Sequence, residues 1–336
     1  MLLLDQHPVP TLLARTRSEL SAAFSPGEAW VARTPAMLDV MGGIAEETGS
    51  LACTIALDRS AAAVLWQKRE DDLLQVFSFD ELDQNRPFTL CVPMRSLMGM
   101  DELALHRSLA EPGRHWAWSI VGAVRQFRSA GGGMNVAILN AIPAGIGLSS
   151  NAALVAASVD AFTAETTDVI ARAQHSRQIE QMTLGHCHPL SAYIAGASGA
   201  VQVFQSDTCT LSVPIEVPVG MRFVAITIGV SRPGWDERLQ IVRTAAVMAH
   251  ALILKKMRDL GTAAGRAMLA DPMGGFLARL DSNDYKRWFR PYLPDVLRGD
   301  KFDEAAGDDR PADLHVEPDV DYPVRGVADH HVLEAL

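Results

Sequence analysis

The sequence predicts a mixed fold of strands and helices, built around one strand–loop–helix unit and large enough for two domains or one large one. Three observations carry this. Residues 136–142 form an apolar, strand-like run that Pro143 ends, and an Ala-rich helix begins near Ser150. Alternating and helical hydrophobic spacings both recur along the chain. The length of 336 residues, 48% of them hydrophobic, is ample for a sizeable core.

Taken in order, residues 10–24 carry apolar side chains at helical spacing after an early proline, which predicts an amphipathic helix. Trp30–Arg33 reads as a strand, and residues 34–50 as a glycine-bearing connection. Residues 51–67 and 73–79 alternate as strands do. Residues 112–130 read as a helix with Trp116 and Trp118 on its packing face, closed by Gly131-Gly132-Gly133. The strand–loop–helix unit follows, and then a helix over 167–183. The triplet His186-Cys187-His188 has the residue types of a metal site, but its members are adjacent and lack a partner pair, so loop or packing roles are expected. Residues 199–204, 209–217 and 221–230 are strand candidates, and 235–260 a long helix. Residues 299–323 are acidic, punctuated by proline and poor in apolar residues, which reads as a long loop or a partly disordered stretch. A composition shift at 195–220 marks the expected domain boundary.

A net charge of −10 argues against nucleic acid or an anionic membrane as partner. Four scattered cysteines, Cys53, Cys91, Cys187 and Cys209, form no CxxC pair and fit a reducing cytoplasm. Residues 1–7 lack the basic and apolar regions of a signal peptide, and no apolar run approaches a membrane span.

The chemistry concentrates at 143–151. Gly145 and Gly147 allow a tight turn and close approach of a ligand to the backbone. Ser149, Ser150 and Asn151 stand where a helix begins, with amides and a dipole that favour an anion. An ordinary strand–turn–helix junction with a good N-cap explains the same residues, and glycine spacing alone does not separate the two.

Two ordered segments resemble the GHMP family of small-molecule kinases, in its galactokinase and L-arabinokinase branch. Residues 32–50, Ala-Arg-Thr-Pro-Ala-Met-Leu-Asp-Val-Met-Gly-Gly-Ile-Ala-Glu-Glu-Thr-Gly-Ser, resemble the N-terminal signature of that branch. Pro143-Ala-Gly-Ile-Gly-Leu-Ser-Ser-Asn-Ala-Ala153 resembles the family's ATP-phosphate loop, Pro-x-Gly-x-Gly-Leu-Ser-Ser-Ser-Ala-Ala. Residues 274–304, around Tyr285, Leu293-Pro294-Asp295 and Phe302, are also similar to it. The resemblance implies a two-domain α+β fold: an ATP-binding domain over 1–205 like ribosomal protein S5 domain 2, and a ferredoxin-like domain over 206–336 that is incomplete, with an irregular acidic tail from about 299. The reaction it implies is ATP-dependent, Mg²⁺-assisted phosphorylation of a monosaccharide at its anomeric hydroxyl. Pro143, Gly145, Gly147, Leu148, Ser149, Ser150 and Asn151 would hold the nucleotide; Ser149, Ser150 or Glu180 would reach Mg²⁺; Asp39, Gly43, Glu46 and Glu47 fall in the sugar-binding stretch.

The departures from the family pattern fall on its chemistry. The signature's Pro-Gly-Arg is here Pro35-Ala36-Met37. The family's catalytic Asp falls at about Ala192, and no Asp or Glu occurs between Gln181 and Gln205. The Gly-Gly-x-x-Gly-Gly run of the C-terminal region is absent. Loss of a base typically costs about 10²–10⁴-fold, and loss of a charge-stabilising group about 10²–10³-fold. The expectation is therefore an impaired sugar 1-kinase, with Glu46, Glu47 or Asp236 as substitute bases. The alternatives are an inactive relative that binds nucleotide or sugar and acts through a partner, and a truncated or decayed paralogue with no tight ligand; a protein partner, or self-association through the incomplete C-terminal domain, goes with these readings.

Overall fold

The structure, a computed structural model, describes residues 7–128, 132–163, 168–184, 188–194, 200–226, 235–263, 270–312 and 314–334. His186, Cys187 and the side chain of Asp236 lie outside what is described. The chain forms two compact units. The first comprises Met1–Val40, Thr54–Gln202 and Val213–Gly229, and the second Met41–Cys53, Val203–Ser212 and Val230–Leu336.

The α+β architecture expected from the sequence is present. The strands are β1 (Trp30–Met41), β2 (Leu51–Lys68), β3 (Leu73–Ser78), β4 (Thr89–Pro93), β5 (Met134–Asn140), β6 (Ala200–Gln205), β7 (Thr210–Leu211) and β8 (Ile215–Glu216). They run in the order β4-β3-β5-β2-β6-β7, with β1 on β2 and β8 on β6. Pairing is antiparallel for β2 with β5 and for β3 with β4, and parallel for β3 with β5. Six of the seven residues of β5 are buried, which explains its nearly unbroken apolar run.

Helix α1 (Pro8–Glu19) covers one sheet face, where Leu12 and Leu20 pack with Ala63, Leu65, Phe77, Phe79, Ala137 and Leu139. Short helices α2 (Phe79–Asp83), α3 (Met94–Gly99) and α4 (Glu102–Ala110) follow, then α5 (Trp118–Phe127), α6 (Ser150–Phe162) and α7 (Val169–Leu184). Trp66, of the opposite register on β2, donates its indole N–H to the Ala161 carbonyl of α6 at 2.6 Å. Helix α5 meets α7 closely at Gly122, where a Cβ would lie 2.5 Å from Ile179. A glycine at a helix centre costs stability by itself, and here it permits that approach.

The second unit is organised on α8 (Trp235–Ala263). Ala245, Ala249, Leu252 and Ile253 pack with Tyr285, Phe289, Leu293, Phe302, Tyr322, Val324 and Ala328.

Three expectations are corrected. Strand β1 continues through Pro35 to Met41 rather than ending at Arg33. Its pairing is to β2 alone, and an edge strand tolerates a proline. Met221–Ile226 forms no strand, and 227–230 lie outside the described residues. Its side chains are exposed, and β-propensity produces a strand only beside a neighbour. Residues 299–323 are not one loop: they hold the helix Phe302–Ala306, the strand Asp321–Tyr322, which pairs with Leu297–Arg298 just before the segment, and fully buried Phe302 and Ala306.

Asp80 gives the fold a measurable pH signature. Its carboxylate accepts the Asn140 amide at 2.8 Å, and burial raises its pKa to about 6. The ionised form is therefore disfavoured in the folded chain, a cost present at pH 7 and relieved as pH falls from about 6 towards the unfolded value. Asp80→Asn keeps an acceptor for that amide. The variant is expected to be more stable than the wild type by about 1–3 kcal/mol at pH 7, with the difference vanishing near pH 4 in urea titrations. A variant less stable at pH 7 would refute this account.

Candidate functional site

The loop between β5 and α6 is held at both ends by polar contacts. Asn140, the last residue of β5, accepts the Ile142 amide on its side-chain oxygen at 3.2 Å, and donates from its amide nitrogen to the Ser150 carbonyl at 3.2 Å. Within the loop Gly145 and Gly147 have φ of +72° and +81°, the left-handed region that glycine occupies without strain. A Cβ at either position would meet nothing within 4 Å, so the backbone there borders open space. Leu148 is buried and anchors the loop.

Ser149 caps α6 with φ +56° and ψ +40°, a conformation uncommon for a residue with a side chain. Its hydroxyl makes no capping bond to the helix. The residue expected as a good N-cap thus leaves the first-turn amides without that side-chain acceptor, and the helix enters its first turn through a strained residue. Ser150 opens the helix and Asn151 is exposed on its first turn.

The structure brings Met37 to this loop. Its backbone N–H donates to the Leu148 carbonyl at 3.3 Å, while its side chain is buried. Asp39, two residues further along β1, shares the strand face of Met37 and is exposed.

Ala192 is buried in a short 3₁₀ turn, Leu190–Tyr193. Glu180, fully buried on α7, ties this segment down: it accepts the His188 amide at 2.8 Å, the His188 ring Nδ1 at 2.9 Å and the Tyr193 hydroxyl. Its carboxylate is therefore engaged by the protein's own donors. Nearby, Arg172 pairs with Asp160 at 3.0 Å and donates to the Tyr193 carbonyl at 3.3 Å, and Asp160 accepts from the Thr34 hydroxyl at 3.4 Å. Burial raises the Asp160 pKa against the pull of Arg172. This chain of polar groups joins β1, α6, α7 and the Ala192 turn. Sequence reasoning missed Thr34, Asp160, Arg172 and Tyr193, because no local spacing signals partners drawn from four elements.

Gly43, Glu46 and Glu47 belong to the second unit, in the 3₁₀ turn Gly43–Thr48. Glu46 is buried and its carbonyl accepts from the Ser206 hydroxyl at 2.5 Å. Glu47 forms a two-oxygen ion pair with Arg243, at 2.8 and 3.0 Å from Nε. Among the described residues no group of three or more His, Cys, Asp or Glu is placed to hold a metal ion. No helix among them is long and apolar enough to cross a membrane.

Comparison with known proteins bears on the family. No family model matches the chain. It is 25% identical to the L-arabinokinase of Arabidopsis thaliana over 370 aligned positions, which cover 91% of this chain. Its fold superposes on Lactococcus lactis galactokinase complexed with galactose with a TM-score of 0.62, at 15% identity over 97% of this chain and 72% of that one. The mevalonate kinase of Methanococcus jannaschii aligns over 55% of each chain with a TM-score of 0.43. The chain is a homologue of L-arabinokinase with the fold of a GHMP kinase. The resemblance carried by the two glycine segments is thereby borne out. The chain spans 35% of the length of the L-arabinokinase that it matches.

If the loop binds phosphate through its backbone, a branched side chain at Gly147 blocks it twice. It fills the open space at the ligand face, and it disfavours φ +81° by about 1–2 kcal/mol. Gly147→Val is expected to weaken Mg-ATP binding at least about tenfold by titration calorimetry, with the circular dichroism spectrum preserved. Unchanged affinity would show that the loop is not a phosphate site.

Proposed function

We propose that the protein is a sugar-kinase-type phosphotransferase: it binds ATP with its phosphates on the Pro143–Asn151 loop and passes the γ-phosphoryl group, slowly, to the anomeric hydroxyl of a monosaccharide. The observation that carries this is the loop backbone. The first-turn amides of α6 follow a left-handed Ser149 that does not cap them, and the glycines beside them border open space. The homology to L-arabinokinase supports a sugar as acceptor.

Phosphates fit this loop. It offers amides and two serine hydroxyls and no cationic side chain, so a nucleotide would arrive as its magnesium complex. The ion supplies charge neutralisation when bound. Ser149 and Ser150 fit as its holders. Glu180 fits less well, since His188 and Tyr193 already donate to its oxygens.

The chain's own part is to position the phosphates and acceptor and to accept a proton. Neither Met37 nor Ala192 can exchange a proton or neutralise charge. Asp39, exposed on the strand face of Met37, is the first candidate to receive the acceptor's proton in their place. A second reading, an inactive relative that binds nucleotide or sugar, is favoured by the burial of both positions: Met37 is 3% and Ala192 8% exposed, as packing residues are.

Sugar-dependent ADP release from Mg-ATP tests the two. With L-arabinose or D-galactose, turnover is expected at least about 10²-fold below an ordinary enzyme rate of roughly 10 s⁻¹. Met37→Arg with Ala192→Asp is expected to raise it about tenfold or more, the paired change being needed because a lone buried guanidinium is costly. No turnover alongside measurable Mg-ATP binding selects the inactive reading. Absence of Mg-ATP binding overturns the kinase reading, and absence of both Mg-ATP and sugar binding overturns the second as well.

A further inference from the structure

The turn Gly43–Thr48 is six residues of 3₁₀ helix, a form with little stability of its own. What holds it comes from far along the chain, all within the second unit. Gln205 donates to the Gly49 carbonyl at 3.1 Å, and the Ser206 hydroxyl reaches the carbonyls of Glu46 and Ser50. Arg243 pairs with Glu47. Phe276 lies so close to Gly49, whose φ is +102°, that a Cβ there would sit 2.8 Å from it. His331, from the C-terminal turn His330–Glu334, meets Thr48.

The last contact is chemically distinct. The Thr48 hydroxyl gives its proton to the Ala45 carbonyl at 3.0 Å, so towards His331 its oxygen accepts and the ring Nδ1–H donates. The imidazole is 1% exposed, and burial, reinforced by His330, pulls its pKa down to about 4, so it is neutral at physiological pH. Its Nε2 has no hydrogen-bond partner among the described residues. A leucine would fill a similar volume without that orphaned nitrogen. What the imidazole adds is the bond to Thr48.

We propose that His331 is a positioning residue for acceptor binding: the C-terminal turn is a clasp that, through the His331–Thr48 bond, fixes the turn bearing Gly43, Glu46 and Glu47. The proposal rests on reading that turn as the sugar-binding stretch. Thr48 is the last residue of the turn, and Gly49 beyond it is already confined by Phe276. The bond to Thr48 completes the hold at the turn's C-terminal end, and none of these contacts involves a residue of the Pro143–Asn151 loop.

The test uses the full chain and three variants. His331→Leu and Thr48→Val remove the bond from either side, and His331→Asn retains a donor near the Nδ1 position. Amide hydrogen exchange over residues 43–50 is measured together with separate affinities for L-arabinose, D-galactose and Mg-ATP. Both apolar variants are expected to speed exchange in that segment about fivefold or more. They are also expected to weaken sugar binding about tenfold, with Mg-ATP affinity within about twofold and His331→Asn largely restored. Unchanged exchange and sugar affinity in both apolar variants overturns the proposal, as does a parallel loss of sugar and Mg-ATP affinity, which marks a merely structural role. Because Thr48→Val also removes the bond to the Ala45 carbonyl, only an effect shared with the His331 variant is assigned to the clasp, and His331→Met replaces His331→Leu should the latter fail to fold. A wild type that binds neither sugar defeats the acceptor reading and the positioning role with it, and the exchange data separate that failure from failure of the clasp.

Discussion

The site in the first unit depends on a constraint of the backbone, the passage from a buried strand into a helix through a left-handed serine. Strand β5 cannot shift, because it is paired on both sides and buried along six of its seven residues. Asn140 then braces the start of the loop, and the Met37 amide holds Leu148. With both ends fixed, Ser149 takes up the turn in a sparsely populated conformation and leaves the first-turn amides of α6 without its side-chain cap, close in sequence to two glycines that border open space. In a chain with a net charge of −10 no long-range field draws an anion in. Whatever affinity the loop has for phosphate must come from this local arrangement of dipoles.

The positions where a GHMP kinase is expected to carry charge are apolar and packed here, yet the interior around them is not. Thr34, Asp160 and Arg172 link β1 to α6 and α7, and Arg172 continues to the Tyr193 carbonyl. Glu180 gathers His188 and Tyr193 below the turn that carries Ala192. These bonds pair charged and polar groups with one another inside the first unit.

Legibility in the sequence followed the range of the interactions involved. Strands β2, β3 and β5, helix α6 and the glycine loop were readable because periodicity and turn chemistry act within a few residues. Met221–Ile226 misled because its apolar residues have the composition of a strand without a neighbour to pair with. The extent of β1 was hidden by Pro35, which stops an interior strand but not one at an edge. Residues 299–323 read as a loop because Asp and Pro dominate their composition, although Phe302 and Tyr322 sit where they close the core over α8. Composition averages over exactly the feature that matters there, the placement of a few apolar anchors. The loop residues of the candidate site were legible for the same short-range reason, whereas the network behind Ala192 and the hold on Thr48 were not.

That difference in range bears on how the proposed activity is built. The Pro143–Asn151 loop draws its shape from neighbours in sequence and from strands already committed to the sheet. The turn Gly43–Thr48 draws its shape from residues 205, 206, 243, 276 and 331, none of which lies near it in the chain. Changes in the second unit's helix or C-terminal turn therefore reach this turn through the contacts that hold it, since a short 3₁₀ turn has little stability of its own. On the proposed function, the two ends of the activity then rest on separate sets of contacts, so a change that loosens the Gly43–Thr48 turn leaves the bonds that shape the Pro143–Asn151 loop in place.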